Sequence, residues 1–574
     1  MHRYTEQANF LAWDNNIDGA IKMLEPYSDK VPNAAVELCL MNMTKSIMKS
    51  VGNSGDKNSD EMLEQISRAE VFVDQSINSD SLLLEQAKTT IEMNKKISEG
   101  DCHRKPPLGV QLDSLTDVQL INNFRKNSQM LYSELTVMRA LVQIQSAAYI
   151  RCCYNIRSAW KTYDTLYNDI FVNNEHRDDI THDNFIHQDV QAGVKCGQAL
   201  FYYGMSMIPN SVQWVLSYLS GMTADRKKGV ELLEEVVEQR GRLSPFAAVL
   251  LSMHCIMMST GFKTRQHKLD KYKNKLHDTI SEFPNGTGFL FIASQYLRKV
   301  GDMDQSIALC EKAIRSSEDR LDFTPRGLST DLAIYVTRGQ FEEPCRLLHD
   351  AVIKDTTTFG GKSFAALTLA TCLSMLGRMD ERNELLDKLQ DHFNKQNPRW
   401  EKYMMSKEQV IKMVRSREAE TTLVLLLSTF ERLYLKDRLT EFKSTANLHI
   451  RPLLRSLRAS YNKMDKKDCM FESRVAFVLA EAVLMARMGD DMKIVKDKLN
   501  KVVAVAEKLH HEKQWAVYAF FELAEIEFNS ENRDLKKVED YMQCCMAIKE
   551  YSVEDLYAPR IKCANRQLEK ARST

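Results

Sequence analysis

At 574 residues the chain is too long for one compact core, so it forms either several domains or an extended array. Its 21 glycines and 12 prolines are sparse for that length, which leaves little room for sheets with many turns, while Leu, Ala, Met, Glu and Lys favour helix. The 78 basic residues are matched by 78 acidic ones, which removes the electrostatic case for a nucleic-acid binder.

The first residues contain no apolar core of signal-peptide length. Asn15-Asn16-Ile17 reads as a turn between two helices, with Ala20 and Leu24 on the second. Helical periodicity then runs almost end to end. Polar stretches interrupt it at Val51–Asp60, Glu99–Asp113, Asn173–Asp189, Ser316–Arg326, Asn394–Trp400 and Asn462–Asp468, each rich in the residues of helix connections. The longest apolar runs, Phe246–Met258 and Leu423–Phe430, are too short to span a bilayer. Without a leader or a span, the 13 cysteines are expected in a reducing, cytoplasmic setting as buried small hydrophobes, and the sequons at Asn42 and Asn285 are chance matches.

Towards the C-terminal half a pattern repeats. In Phe289–Ile314, Ala293 and Ser294 keep a first helix thin, Gly301-Asp302 makes a turn, and Ser306, Cys310 and Ala313 line one face of a second helix. Small residues at such a crossing let two backbones approach closely. This is the grammar of a tetratricopeptide unit, two antiparallel helices in about 34 residues. It recurs at the Asn15 turn, at Ala370 followed by Gly377-Arg378-Met379 and Leu385, Leu386 and Leu389, and at Ala480 and Ala482 followed by Gly489-Asp490. The expected fold is all-α, with such pairs stacked in a right-handed solenoid around an irregular helical middle.

That middle carries a family resemblance. Asn155–Tyr163 (NIRSAWKTY) is similar to an Ile-Arg-Ser helix of the tetratricopeptide repeat protein 39 family, which includes a yeast inclusion-body clearance protein. The next block, Gln191–Leu233, resembles the family's most distinctive stretch at Gly193, Val194, Gly197, Phe201, Ser206, Pro209, Gly221, Arg226, Gly229 and Leu233. Two departures mark a divergent member: Leu135–Arg139 replaces Leu-Cys-Tyr-Ala-Glu, and Tyr149–Tyr154 (YIRCCY) replaces Phe-Ile-Lys-Gly-Gly. The division expected is a helix-pair region over 1–98, a family-specific middle over 114–283 and tetratricopeptide-like repeats over 284–574. In residue terms, Gly193 and Gly197 lie on one helix face and permit tight packing, Pro209 opens a helix, and the aromatics Phe201, Tyr202, Tyr203, Trp214 and Tyr218 form a core seam.

Motifs for catalysis are thin. Phe359-Gly360-Gly361-Lys362-Ser363 hints at a phosphate loop, but the first glycine of that motif would fall at Thr356 and no strand precedes it. His176, His182 and His187 lie near several aspartates at spacings that suit a solvated loop better than a metal site. His510-His511-Glu512 lacks the second histidine of a zincin helix, and Cys152-Cys153 and Cys544-Cys545 are adjacent, unlike a zinc knuckle. The basic stretch Arg265, Lys268, Lys271, Lys273 and Lys275 reads as the solvated side of an amphipathic helix whose apolar face is Leu269, Tyr272 and Leu276. No catalytic, cofactor-binding or metal-binding residue is assigned. The expectation is a non-enzymatic adaptor for other proteins, for which the resemblance implies lipid homeostasis, cilium assembly or protein turnover through ubiquitin-ligase partners. The second reading is a peripheral membrane or lipid-droplet or mitochondrial-surface factor aiding inclusion clearance, with Gln213–Leu219 and Arg226-Lys227-Lys228 as the nearest amphipathic candidate.

Overall fold

The structure is a computed structural model that describes residues 2–50, 56–96, 110–145, 148–208, 217, 221–256, 261–262, 269, 274, 277–278, 280–300, 302–316, 338–354, 361–393, 398–435 and 449–573. Every regular element among these residues is helical. They divide into two compact units: 1–254 with 272–292, and 255–271 with 293–574.

In the first unit, α1 (Arg3–Trp13) and α2 (Ile17–Leu24) pair, followed by α3 (Pro32–Ser50), α4 (Asp56–Ile77) and α5 (Asp80–Lys95). The long α6 (Asp117–Gln145) is the hub. It packs against α3, α4, α5, α7 (Tyr149–Tyr167) and α8 (Gln188–Met205), and Phe124, Leu131 and Leu135 sit in the shared core. Polar residues four apart on α6 have a separate task. Gln119 Nε2 donates to the carbonyl of Ile180 at 2.7 Å and Asn123 Nδ2 to that of Phe185 at 2.9 Å, which pins the 173–187 connection to the hub. Then α9 (Arg226–Gln239) lies along α8, and α10 (Ser244–Ile256) follows.

The second unit holds stacked helix pairs. α11 (Thr287–Val300) enters it from Ala293 onward and is followed by α12 (Met303–Ser316) and α13 (Glu342–His349). Next come α14 (Lys362–Met375), α15 (Met379–Asp387), α16 (Pro398–Val414), α17 (Glu418–Leu435) and α18 (Arg451–Lys463). The last are α19 (Phe471–Met488), α20 (Met492–Val503), α21 (Gln514–Phe528), α22 (Leu535–Ala547) and α23 (Glu554–Ser573). α14 packs on α15, α17 on α18, α19 on α20 and α21 on α22, and the first helices of these successive pairs also pack on one another: α14 on α17, α17 on α19, α19 on α21. That row explains the composition. α14, α17, α19 and α21 are buried nearly all round, as helices apolar on every face must be, whereas α15, α20 and α22 bury only one stripe.

The pair turns are closed by one hydrogen-bond pattern. The N–H of Asn16, Asp302, Arg378 and Asp490 donates to the carbonyl five residues back, on Leu11, Leu297, Leu373 and Met485. Where it is described, the residue just before the donor turns left-handed. Gly377 and Gly489 do so with φ of +75° and +77°. Asn15 takes the same role with φ of 70°, which is why an Asn-Asn turn can stand where later repeats use glycine. Gly301 lies outside the described residues, but its flanks behave alike: Asp302 accepts from the N–H of Gln305, and the Ser306 hydroxyl donates to the buried Ser294 carbonyl at 2.7 Å. Helices end or begin within the predicted breaks where residues are described, with only a 3-10 turn at Leu112–Ser114 in the break at Glu99–Asp113, and α4 starts at Asp56, earlier than its break at Val51–Asp60 allows. Acidic residues at that start suit the positive end of a helix, so a polar composition there does not stop one.

Candidate functional site

The family-like block is a packing device. Gly193 and Gly197 on α8 face α6 and α7: a Cβ at Gly193 would strike the end of Met130, and one at Gly197 would strike the Tyr163 ring. Gly229 brings α9 against the backbone of α8, where a Cβ would lie 2.9 Å from the Tyr203 nitrogen and 3.2 Å from the Ala199 carbonyl. Ser206 and Arg226, twenty residues apart, meet at the end of α8. Arg226 donates to the Ser206 hydroxyl at 3.2 Å and to its carbonyl at 3.0 Å, so it caps that C-terminus. Trp160 packs edge-on against Phe201 and Tyr202, which bears out the core seam for those rings; Pro209, Trp214 and Tyr218 lie outside the described residues.

Beside this block lies a polar interior. Arg242, in the turn between α9 and α10, reaches Glu37 of α3 and Glu134 of α6, and all three are buried or nearly so. The paired carboxylates keep the guanidinium charged despite its burial. Adjacent to it, His2, Asn33, Asn127, Asp189 and Gly193 line a cavity of about 10 Å³, room for roughly one water and not for a substrate.

His187 belongs to this interior and not to the loop cluster in which its sequence spacing placed it. Its Nδ1 accepts from the Asp189 N–H at 3.1 Å, capping α8, and Nε2 lies 2.9 Å from the Val110 carbonyl. His176 and His182 remain in the loop, their rings stacked 3.9 Å apart. Burial lowers the His187 pKa from 6.5 to about 4. Unfolded, this imidazole protonates near its ordinary 6.5; folded, it stays neutral until about pH 4. Between those values the unfolded chain binds the proton first, so stability falls as pH falls through that window, by up to about 3 kcal/mol. Thermal melts of His187→Gln should show a shallower loss from about pH 7 to about pH 5 than the parent. Burial also holds His2 well below its ordinary value, and it supplies a remaining slope. An unchanged slope would remove His187 from the account.

In the second unit the charges are equally enclosed. Lys407 of α16 bridges Glu431 of α17 and Glu512, just before α21, and all three are almost fully buried. Glu431 also accepts from Tyr403 at 3.1 Å and Tyr518 at 3.0 Å, and the lysine ammonium lies over the Trp515 ring, 4.8 Å from its centroid. Arg487 contacts Glu522 and Glu525, and Arg560 shares Glu525. Sequence reasoning missed both sets, and it set Glu512 aside only as part of an incomplete zincin motif.

The remaining sequence candidates take structural positions. Lys362 and Ser363 are buried in the first turn of α14 behind Gly361, whose φ is +100°; Thr356, Phe359 and Gly360 lie outside the described residues. In each adjacent cysteine pair one member, Cys152 or Cys545, is buried and its neighbour is exposed. Burial pushes the thiols of Cys39, Cys196 and Cys545 up to about 12, away from reactive thiolate. Leu269 is buried, while the basic residues around it fall outside the described residues. No described helix is long and apolar enough to cross a membrane.

A family model described as Iml2/Tetratricopeptide repeat protein 39 matches residues 57–437, well over half of the chain. The chain belongs to that family. The match takes in the whole Gly193–Leu233 block and runs from α4 into the repeats of the second unit. Among solved structures, the chain is similar to yeast Tom70, at 10% identity and a TM-score of 0.22, over 99% of this chain and 96% of that one. It is also similar to the APC/C hetero-tetramer Cut9–Hcn1, at 11% identity and a TM-score of 0.21, over 96% and 94% of the two chains. Overlaps this weak carry no conclusion about fold or partners.

Proposed function

We propose that this chain is a non-enzymatic adaptor that binds other proteins in the cytoplasm. The supporting observation is where its chemistry sits. The Arg242 and Lys407 ion clusters are enclosed within the units and paired internally, and the polar cavity beside Arg242 admits about one water. Stacked helix pairs expose their remaining faces, which is how helical-repeat proteins hold partners. The process served is one of those associated with the family: lipid homeostasis, cilium assembly, or protein turnover through ubiquitin-ligase partners. Proximity labelling of the tagged chain followed by mass spectrometry tests the adaptor reading. A reproducible set of protein neighbours is expected, and their absence would overturn it. Peripheral attachment to a membrane is the second reading, and it has its own observation, an exposed apolar and basic helix hairpin.

A further inference from the structure

We infer that the hairpin tip formed by the end of α6 and the start of α7 docks on membrane surfaces rich in anionic headgroups. Leu141 and Ile144 of α6 and Tyr149, Ile150 and Tyr154 of α7 are exposed there, with Ile150 at 89%, Tyr154 at 74% and Tyr149 at 63%. These side chains are not needed to hold α7 in place, because Cys152, Ala159, Trp160 and Tyr163 supply its buried face. Scattered exposed apolar residues are ordinary; a cluster at one tip is not.

Charge selects the occupant. From Leu135 to Tyr163 the sequence contains Arg139, Arg151, Arg157 and Lys161 and no Asp or Glu, although the chain as a whole is neutral. Arg139 is spent on Glu70 of α4, and Glu64 of α4 is paired with Arg68. Arg151, Arg157 and Lys161 are exposed and follow Ile150 and Tyr154 along the outer face of α7 at helical spacing. A second copy of this chain would set the same cations against each other. An anionic bilayer answers every part of the tip. Isoleucine and leucine enter the acyl boundary, tyrosine rings rest at the headgroup level, and arginine and lysine stems lead their charges to phosphates. The earlier amphipathic candidate fits less well. Arg226 and Lys228 are engaged on Ser206 and Tyr202 of their own chain, and Gln213–Leu219, apart from Ser217, lies outside the described residues.

The inference rests on the peripheral-membrane reading and is independent of the adaptor reading. The full chain is floated with phosphatidylcholine vesicles and with phosphatidylcholine vesicles containing phosphatidylserine, alongside Ile150→Ser/Tyr154→Ser and Arg151→Glu/Arg157→Glu. All four positions are exposed, so the variants should melt with the parent. The expected result is flotation that requires phosphatidylserine, weakens with added salt, and falls at least about tenfold in each variant. Parent and variants floating alike would overturn this surface while leaving membrane attachment standing. A parent that stays with neither vesicle would overturn both. A parent dimer by light scattering that either variant dissociates would assign the tip to self-association instead.

Discussion

Replacing Lys407 with methionine is expected to cost the second unit roughly 3–5 kcal/mol, the usual penalty for stripping the partner from a buried charge. The lysine touches both Glu431 and Glu512, and the substitution leaves two carboxylates in a site closed by Tyr403, Trp515 and Tyr518. Methionine keeps most of the side-chain volume and removes only the ammonium, so the loss reports charge more than packing. Adding Glu431→Gln and Glu512→Gln should recover much of it, since the tyrosine hydroxyls can still donate to an amide oxygen. Thermal and denaturant melts of the full chain, with hydrogen exchange across 398–435 to assign the transition, would read this. A single variant as stable as the parent would show that the buried carboxylates shed their charge by taking up a proton once the lysine is gone.

Three helix glycines of the first unit, Gly193, Gly197 and Gly229, should separate by what stands opposite each. Gly197→Ala drives a methyl into the ring of Tyr163, which is buried and itself packed on Phe201, and a loss of about 3 kcal/mol is expected. Gly193→Ala meets only the sulfur end of Met130, which can swing aside, and the gain of up to about 1 kcal/mol in helix propensity offsets the strain. Gly229→Ala presses on backbone and should fall nearer to Gly197. Denaturation midpoints of the three variants would rank them. Gly193→Ala proving as damaging as Gly197→Ala would refute this account of the block.

The turns were legible in the sequence because they are local. The hydrogen bond that closes each spans five residues, so glycine or asparagine beside a capping residue is enough to recognise it. The small residues Ala293, Ser294, Ser306 and Ala313 were legible for the same reason, since helical spacing alone puts them on one face. Lys407, Glu431 and Glu512 were not, being drawn from distant elements, and a lone charge in an apolar stretch reads as solvated until its partner is seen. His187 illustrates the converse: proximity to His176 and His182 in sequence grouped three residues that burial separates. The exposed face of α7 was hidden because apolar residues stand on both sides of Tyr149–Tyr154, with Arg151 its one charge, and periodicity cannot tell which side finds a neighbour.

The first unit is discontinuous, and that bears on how the chain is made. Phe10 of α1 packs on Phe283, which stacks on Phe289 at 4.9 Å, and Asp14 accepts from the backbone and side chain of Asn285 at 2.7 and 3.1 Å. A ribosome delivers these partners only after more than 260 further residues, all of α2 to α10 among them. Until then α1 waits with an aromatic face uncovered, open to chaperones or to the wrong neighbour. The last step in completing the N-terminal unit therefore belongs to the middle of the message. A fragment cut at residue 254 would carry α1 to α9 and most of α10 and still lack its closure.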